Sequence, residues 1–269
     1  MTWPQSLFFG VLQGLTEFLP ISSSGHLVIV PYLLGWPDPG LVMDTLLHLG
    51  TMIAIVAYFW RDLQRLLIAG WRSLRERSLE SAEARLAWSV VLGSVPAAVI
   101  GFLLEDFFER LFGIPRAAAG FLLGTAALLV LSELGGRHRW NLEHLTWRDA
   151  FLIGLAQTLA IAPGLSRSGS TIAAGLLLGY RREDATRFSF FLAVPIILGG
   201  GFYQLFKILR GGIGGVSEWG GMVLGFLAAT VTGYAAIAGL LTLVRRRALW
   251  PFAVYCALLG TLVLTGVWG

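Results

Sequence analysis

Long apolar runs, separated by short segments that contain arginine, dominate the hydropathy pattern of this chain. A helix of about 20 mainly apolar residues is long enough to cross the hydrocarbon core of a bilayer. Six runs approach that length and are predicted to be transmembrane helices: residues 42–60, 86–104, 117–134, 186–208, 222–244 and 249–268. The pattern therefore predicts an all-α integral membrane protein.

Two further apolar runs are interrupted by polar turns. Residues 4–36 are broken by the sequence PISSSG at 20–25, and residues 150–180 are broken by PGLSRSG at 163–169. Half-helices of about 13 residues reach only about 20 Å at 1.5 Å per residue, too short to cross a bilayer. Both runs are predicted to be re-entrant helical hairpins, whose turns must be buried in protein or line a cavity.

The two halves of the chain resemble each other. A shift of 144 positions aligns Gly10, Gln13 and Ser22 with Gly154, Gln157 and Ser166. Each half contains one hairpin and three spans, so an odd number of crossings inverts the second half relative to the first. We therefore expect a single membrane domain over residues 1–269, built from inverted-topology repeats at about 1–136 and about 137–269.

Composition agrees with a membrane protein. Charged residues make up only 13% of the chain, against about 25% in soluble proteins. Cys256 is the single cysteine, which excludes an internal disulfide, and no basic segment before Trp3 suggests a removable signal peptide. The sequence pI is about 9.6, but the arginines lie in loops, so we expect no nucleic-acid partner. Fifteen of the 20 basic residues fall on one predicted side, which makes that side cytoplasmic.

Ionisable residues in the hairpins are candidates for function, because charged groups at bilayer depth are costly and usually face a cavity. Glu17 and His26 lie in the first hairpin and Arg167 in the second. A helix that starts inside the membrane also points unpaired N–H groups and a positive dipole end at the midplane. Because the arginine fork suits phosphate oxygens, these features together predict a phosphate site. The alternative is a buried ionic cluster that only pins the hairpins together.

The remaining polar residues suggest how such a site would work. Glu17 would repel phosphate unless a divalent cation, Mg²⁺ or Ca²⁺, bridged the two, and Gln13 lies one turn away on the same helix face. Ser23 and His26 are one turn apart and have the residue types of a nucleophile and a general base or acid. Either of these two is a candidate for covalent chemistry. Four serines are equally suited to helix capping or to substrate contact: Ser22, Ser24, Ser166 and Ser168.

The segments GLTEFLPISSSGHL and PGLSRSGST resemble the two signature motifs of the undecaprenyl-pyrophosphate phosphatase family, also known as bacitracin-resistance proteins. The resemblance extends along essentially the whole chain. It implies a bacterial inner-membrane phosphatase that removes the terminal phosphate of C55 isoprenyl pyrophosphate and so recycles the lipid carrier of peptidoglycan and other envelope polymers. It also implies a divalent metal and a pocket open to the outer, periplasmic face.

The resemblance assigns roles to individual residues. Gln13 and Glu17 fall on the acidic element of the family, although many members have Glu where this chain has Gln13. The other assignments are Ser23 and His26 to the reactive turn and Ser166, Arg167 and Thr171 to the phosphate clamp.

Other functional readings remain open at this point. Inverted repeats with broken helices are also typical of a transporter, here one for an anion or a flippase for a phosphorylated lipid. Carrying an anion, however, requires neither a nucleophile nor a base. The phosphatidic-acid phosphatases share the tripeptide from Ser24 to His26, but they require a histidine six residues after the arginine, where Ala173 stands. A homodimer is the expected assembly, since symmetric dimers are the commonest oligomers.

Overall fold

The computed structural model describes residues 1–211 and 219–266. Apart from one isolated bridge between Trp140 and Tyr180, the regular structure of these residues is helical. The α-helices are α1 (Trp3–Phe18), α2 (Ser23–Leu34), α3 (Gly40–Tyr58), α4 (Trp60–Glu76), α5 (Ala82–Leu103), α6 (Glu105–Phe112), α7 (Pro115–Gly135), α8 (Trp147–Gln157), α9 (Arg167–Leu177), α10 (Arg182–Gly211), α11 (Trp219–Val244) and α12 (Trp250–Thr265).

Five helices are long and apolar enough to cross a membrane, and they correspond to five of the six predicted spans. They are α3, α5, α7, residues Arg182–Ile208 of α10, and α11. The sixth prediction, residues 249–268, corresponds to α12, an apolar helix of only 16 residues. Residues 267 and 268 of that prediction lie outside the described part of the chain. The all-α membrane class is confirmed.

Both interrupted runs are split into shorter helices at their polar turns. The first run forms α1 and the 12-residue α2, which are separated by residues 19–22. The second forms α8, a 3₁₀ turn at Thr158–Ile161, and the 11-residue α9. At 1.5 Å per residue, α2 and α9 are each about 18 Å long or shorter. Their re-entry from one side of the bilayer stays a prediction.

Hydropathy alone did not predict α4, which follows α3 directly and contains several arginines. Leu66 and Ser73 are buried against the bundle, whereas the side chains of Leu67 and Trp71 are 73% and 72% exposed. The Trp88 indole N–H donates to the Ser73 hydroxyl at 2.9 Å and ties α4 to α5. One exposed apolar stripe beside an arginine face is typical of a helix that lies in the membrane interface.

The first helix of each half packs closely against a long helix of the other half. A Cβ atom on Gly10 of α1 would lie 2.3 Å from the carbonyl oxygen of Gly225 in α11. A Cβ atom on Gly154 of α8 would lie 2.1 Å from the carbonyl oxygen of Gly93 in α5. Glycine is therefore required at both positions for the backbones to approach. Gly10 and Gly154 are also the residues that the repeat alignment pairs.

Polar contacts join the segments that lie between helices in the second half of the chain to neighbouring helices. The Tyr180 hydroxyl donates to an Asp149 carboxylate oxygen at 2.8 Å. Burial, together with this hydrogen bond, raises the pKa of Tyr180, which therefore keeps its proton. The Glu133 carboxylate of α7 accepts from the Arg182 Nε at 2.9 Å and from the Leu249 N–H at 2.8 Å. These bonds join α7 to the start of α10 and to the residue that precedes α12.

Candidate active site

The turns of the two hairpins touch each other. The Gly164 N–H donates to the Ser22 hydroxyl at 3.2 Å, and the Ser168 hydroxyl donates to the Leu19 carbonyl at 3.0 Å. The backbones are so close that a Cβ atom on Gly25 would lie 2.9 Å from the Cα of Gly164. Residues that are far apart in sequence are thus brought into one buried polar cluster.

Each hairpin restarts its helix with a capping serine. Ser22 and Ser166 each accept the backbone N–H of the residue three positions further on, at 3.2 and 3.0 Å. Each capping hydroxyl also contacts the hydroxyl two residues later, Ser24 at 3.3 Å and Ser168 at 3.1 Å. The capping role of Ser22 and Ser166 is therefore present in the structure. Contact of these four serines with a phosphate stays a prediction.

Ser22 has a backbone conformation that is uncommon for a residue with a side chain, with φ 69° and ψ 95°. Such a conformation costs on the order of 1–3 kcal/mol and persists only where the surroundings enforce it. Here the hydroxyl of Ser22 binds N–H groups of both hairpins, and its carbonyl oxygen lies 2.7 Å from the Nδ1 of His26. The strained residue thus joins the two turns and also holds a candidate catalytic ring.

Glu17 is the centre of the cluster, and its side chain is only 5% exposed. Its Oε1 accepts from the Arg167 Nη2 at 2.7 Å. Its Oε2 accepts from the Ser23 hydroxyl at 2.5 Å and from the Gln13 Nε2 at 3.0 Å. The Nε2 of His48 lies 3.7 Å from the same Oε2. The structure thus brings together the candidates Gln13, Glu17, Ser23 and Arg167.

His26 faces a different partner from the one its spacing suggested. Its Nδ1 lies 2.7 Å from the Ser22 carbonyl, and its Nε2 lies 2.7 Å from the Tyr255 hydroxyl of α12. No hydrogen bond between Ser23 and His26 occurs in the described residues, because the Ser23 hydroxyl donates to Glu17 instead. The expected Ser23–His26 pair is therefore replaced by two separate pairs, Ser23 with Glu17 and His26 with Tyr255.

Thr171 supports the first turn of α9. Its hydroxyl lies 2.8 Å from the carbonyl oxygen of Arg167 and 2.6 Å from the hydroxyl of Ser189 in α10. Because the residue is fully buried, these contacts brace the backbone of Arg167 against α10. The direct contact with substrate that its motif implies stays a prediction.

Two neighbours of the site were not among the predicted catalytic residues. The His48 ring of α3 is 35% exposed and its Nδ1 lies 2.8 Å from the Asp44 carbonyl. The sequence gives a signal for it, since Asp44 and His48 form an i, i+4 polar pair within an apolar helix. For Tyr255 the sequence gives no such signal, because a tyrosine in an apolar helix is also typical of the membrane interface.

The arrangement is suited to phosphate chemistry. Glu17 is buried, whereas Ser23, Ser24 and Arg167 are only partly buried, so hydroxyl and guanidinium groups form the accessible part of the cluster. Two helix N-termini and a guanidinium attract an anion, and a carboxylate that already accepts from a hydroxyl can take its proton. The fold defines an all-α integral membrane protein, and the cluster combines the residue types that acid–base chemistry on an anion requires.

Comparison with known proteins gives the family. The family model of bacitracin resistance protein BacA matches residues 6–262, and the chain belongs to that family.

Similar proteins cover almost the entire chain. An undecaprenyl-diphosphatase from Geotalea daltonii is 42% identical over 97% of this chain and 96% of its own length. One from Geobacter sulfurreducens is 45% identical over 95% of this chain and 94% of its own length. Undecaprenyl-diphosphatase 2 from Agrobacterium fabrum is 43% identical over 98% of this chain and 95% of its own length.

Proposed function

We propose that this protein hydrolyses undecaprenyl pyrophosphate to undecaprenyl phosphate and inorganic phosphate, and so recycles the lipid carrier for peptidoglycan and other envelope polymers. The names and coverage of its relatives support this activity. The structural observation that carries the proposal is the contact of Glu17 with both Ser23 and Arg167, at 2.5 and 2.7 Å. The proposed nucleophile Ser23 and the phosphate-binding guanidinium of Arg167 therefore both contact the proposed base, Glu17.

Binding begins with Arg167. In the structure its Nη2 is bonded to Glu17, and the guanidinium has further N–H groups that point elsewhere in a fixed fork. The terminal phosphate of the substrate takes these donors, assisted by the positive ends of α2 and α9. Apolar surface between the helices accommodates the lipid chain.

Ser23 is the nucleophile in this proposal, because its hydroxyl already donates to Glu17 while both ring nitrogens of His26 are engaged. The Ser23 oxygen forms a bond to the terminal phosphorus as its proton passes to the Glu17 carboxylate. The bridging phosphorus–oxygen bond breaks, and its electron pair leaves with the lipid monophosphate. The product of this first step is a phosphoserine.

His26 acts in the second step. A water molecule attacks the phosphoserine, the bond between phosphorus and the Ser23 oxygen breaks, and inorganic phosphate is released. The imidazole gains one proton as the attacking water loses one, and Glu17 returns its proton to Ser23. General acid–base catalysis of this kind contributes typically about 10²–10⁴-fold to a rate.

A divalent cation, Mg²⁺ or Ca²⁺, belongs to the proposal, with Glu17 and Gln13 as the residues that would hold it. The Oε1 of Gln13 supports this choice, because it is buried and has no hydrogen-bond partner among the described residues. Those residues contain no cluster of three His, Cys, Asp or Glu side chains suited to a metal, so a bound cation would take most of its ligands from substrate oxygens and water, as is usual for Mg²⁺. The cation would neutralise charge that develops on the phosphate oxygens.

For the membrane arrangement we propose six crossings and two re-entrant hairpins in inverted repeats, within the bacterial inner membrane. The equivalent glycine contacts of Gly10 and Gly154 support the repeat. The distribution of arginine supports an orientation in which the mouth of the first hairpin faces the periplasm, and the family resemblance implies a site that opens to that face. The expected assembly is a homodimer, by the general prevalence of symmetric dimers.

The test is phosphate release from a polyprenyl pyrophosphate by purified protein in detergent, with Mg²⁺ or Ca²⁺. Detergent removes the two sides of the membrane, so release reports hydrolysis and cannot arise from transport. We expect release by the wild type, loss in Ser23→Ala, and full activity in Ser78→Ala, a loop serine on the cytoplasmic side of the proposed topology. A wild-type protein that releases no phosphate refutes the proposal and favours a lipid carrier.

A further inference from the structure

Both ring nitrogens of His26 are engaged in the structure. The Nδ1 lies 2.7 Å from the Ser22 carbonyl oxygen, and the Nε2 lies 2.7 Å from the Tyr255 hydroxyl oxygen. A carbonyl oxygen only accepts hydrogen bonds, so the Nδ1 must carry a hydrogen. In the neutral ring the Nε2 is then the acceptor, and the Tyr255 hydroxyl donates to it.

Packing fixes this contact. The rings of His26 and Tyr255 are nearly parallel, with an interplanar angle of 5° and centroids 5.6 Å apart. The next residue of α12, Cys256, is buried with its Sγ 3.9 Å from the carbonyl oxygen of Pro20 in the first hairpin turn. Thus α12 is held directly against the turn that presents His26.

The two partners of His26 differ in what they can do. The Ser22 carbonyl cannot give or take a proton, so proton exchange at the ring must occur at the Nε2. The Tyr255 hydroxyl is both a donor and an acceptor, so it stays bonded whether the Nε2 carries a proton or not. His26 itself is only 1% exposed, whereas Tyr255 is 43% exposed.

We infer that Tyr255 is a further catalytic residue that acts together with His26: its hydroxyl holds the Nε2 in place and relays to this nitrogen the proton that the attacking water loses. As the O–H proton of Tyr255 passes to the Nε2, the phenol oxygen takes a proton from the attacking water. The tyrosine therefore stays neutral while the imidazole gains one proton. This inference rests on the proposed acid–base role of His26 and assigns the chain a further residue for that reaction.

The first test measures the contact itself and needs no enzymatic activity. The chain has 4 histidines, so ¹⁵N-histidine labelling gives few resonances, and a His26→Gln variant identifies those of His26. Tyr255→Phe keeps the ring and removes the hydroxyl. The matched control is Tyr32→Phe on α2, since that side chain is 59% exposed and its hydroxyl has no hydrogen bond within the described residues.

We expect the His26 Nε2 resonance to move in Tyr255→Phe, with the resonances of the other three histidines unchanged, and to stay in place in Tyr32→Phe. Unchanged resonances elsewhere also show that the variant is folded. A His26 Nε2 resonance that is the same in Tyr255→Phe and wild type overturns the inference.

The second test is kinetic. Because general acid–base catalysis is worth about 10²–10⁴-fold, we expect kcat for phosphate release to fall by about 10²-fold in Tyr255→Phe, with KM within about twofold of wild type. Tyr32→Phe should match wild type in both. A wild-type kcat in Tyr255→Phe, or a loss confined to KM, overturns the inference and leaves the proposed function standing. An inactive wild type instead refutes the proposed function.

Discussion

The Nη2 of Arg167 lies 2.7 Å from the Oε1 of Glu17, so a guanidinium at the tip of one hairpin neutralises a carboxylate of the other. Both side chains are largely buried, 14% and 5% exposed. An unpaired charge at this depth would cost several kcal/mol. The pair therefore stabilises the site in the absence of substrate, and in the proposed mechanism the phosphate takes the remaining N–H groups of the guanidinium.

Replacement of Arg167 by lysine separates the charge of this residue from its geometry. Arg167→Lys keeps one positive charge but loses the planar fork that binds two oxygens at once. We expect phosphate release in detergent to fall at least about tenfold, since one lost charge-assisted bond is worth about 1.5–3 kcal/mol. Arg246→Lys, in the exposed loop before α12, is the matched control and should be unaffected. Near-normal activity in Arg167→Lys would remove this residue from phosphate binding.

Glu17→Gln tests the proposed metal ligand and base. The substitution keeps the shape of the side chain and removes the charge that a divalent cation requires. We expect phosphate release to become nearly undetectable, and binding of Mn²⁺, measured by electron paramagnetic resonance as a spectroscopic substitute for Mg²⁺, to weaken at least about tenfold. Glu80→Gln, at an exposed loop position, is the control. An unchanged metal titration in Glu17→Gln would contradict the assignment.

The Glu133–Arg182 pair should matter for stability and not for chemistry. The Glu133 side chain is 2% exposed and also accepts from the Leu249 N–H. Breaking a buried pair costs about 3–5 kcal/mol, whereas an exposed pair contributes about 0–1 kcal/mol. Glu133→Gln should therefore lower the melting temperature in detergent clearly. Glu183→Gln, which removes the exposed bond of Glu183 to Arg245, should change it little, and equal shifts would contradict this prediction.

Gln157 offers a test of a buried amide without partners. The residue is 2% exposed, and neither amide atom finds a hydrogen-bond partner among the described residues. Leaving such a group unsatisfied costs about 1–3 kcal/mol, so Gln157→Leu should raise the melting temperature. Its repeat equivalent, Gln13, donates to Glu17, and Gln13→Leu should instead impair phosphate release. A lower melting temperature in Gln157→Leu would show that the amide is satisfied in the folded protein.

Cysteine labelling tests the membrane topology. In a Cys256→Ala background, a cysteine at Asp38 should react with a membrane-impermeant maleimide added to intact spheroplasts. A cysteine at Arg181 should react only after the membrane is permeabilised. The inverted arrangement places these two residues on opposite faces of the membrane. The same accessibility at both positions would therefore refute it. Phosphate release by both variants serves as the control for correct folding.

The sequence predicts the centre of the site well, for a physical reason. Charged residues are so costly within a bilayer that Glu17 and Arg167 had to share a polar environment, and the structure joins them directly. The positions of the helix breaks were equally readable, because Pro20, Pro163 and the adjacent serines interrupt apolar runs. Five spans follow from the length of their apolar segments alone.

Other features depend on three-dimensional information that spacing does not carry. Ser23 and His26 share one turn of α2, but they do not bond to each other. The Nδ1 of His26 contacts the carbonyl oxygen of Ser22, whose backbone conformation is unusual, and the Ser23 hydroxyl donates to Glu17. Tyr255 was missed because its partner lies 229 positions away. The helix α4 was missed because its arginines lower the mean hydropathy, although its exposed stripe remains apolar.

The hydroxyl of Ser22 accepts an N–H from its own turn and another from Gly164 in the opposite turn. One oxygen atom is therefore shared by segments that, in the proposed topology, enter through different leaflets. A displacement of one hairpin tip relative to the other would lengthen one of these two hydrogen bonds. In the proposed topology we therefore expect the relative position of the two leaflets to affect the geometry around Ser22.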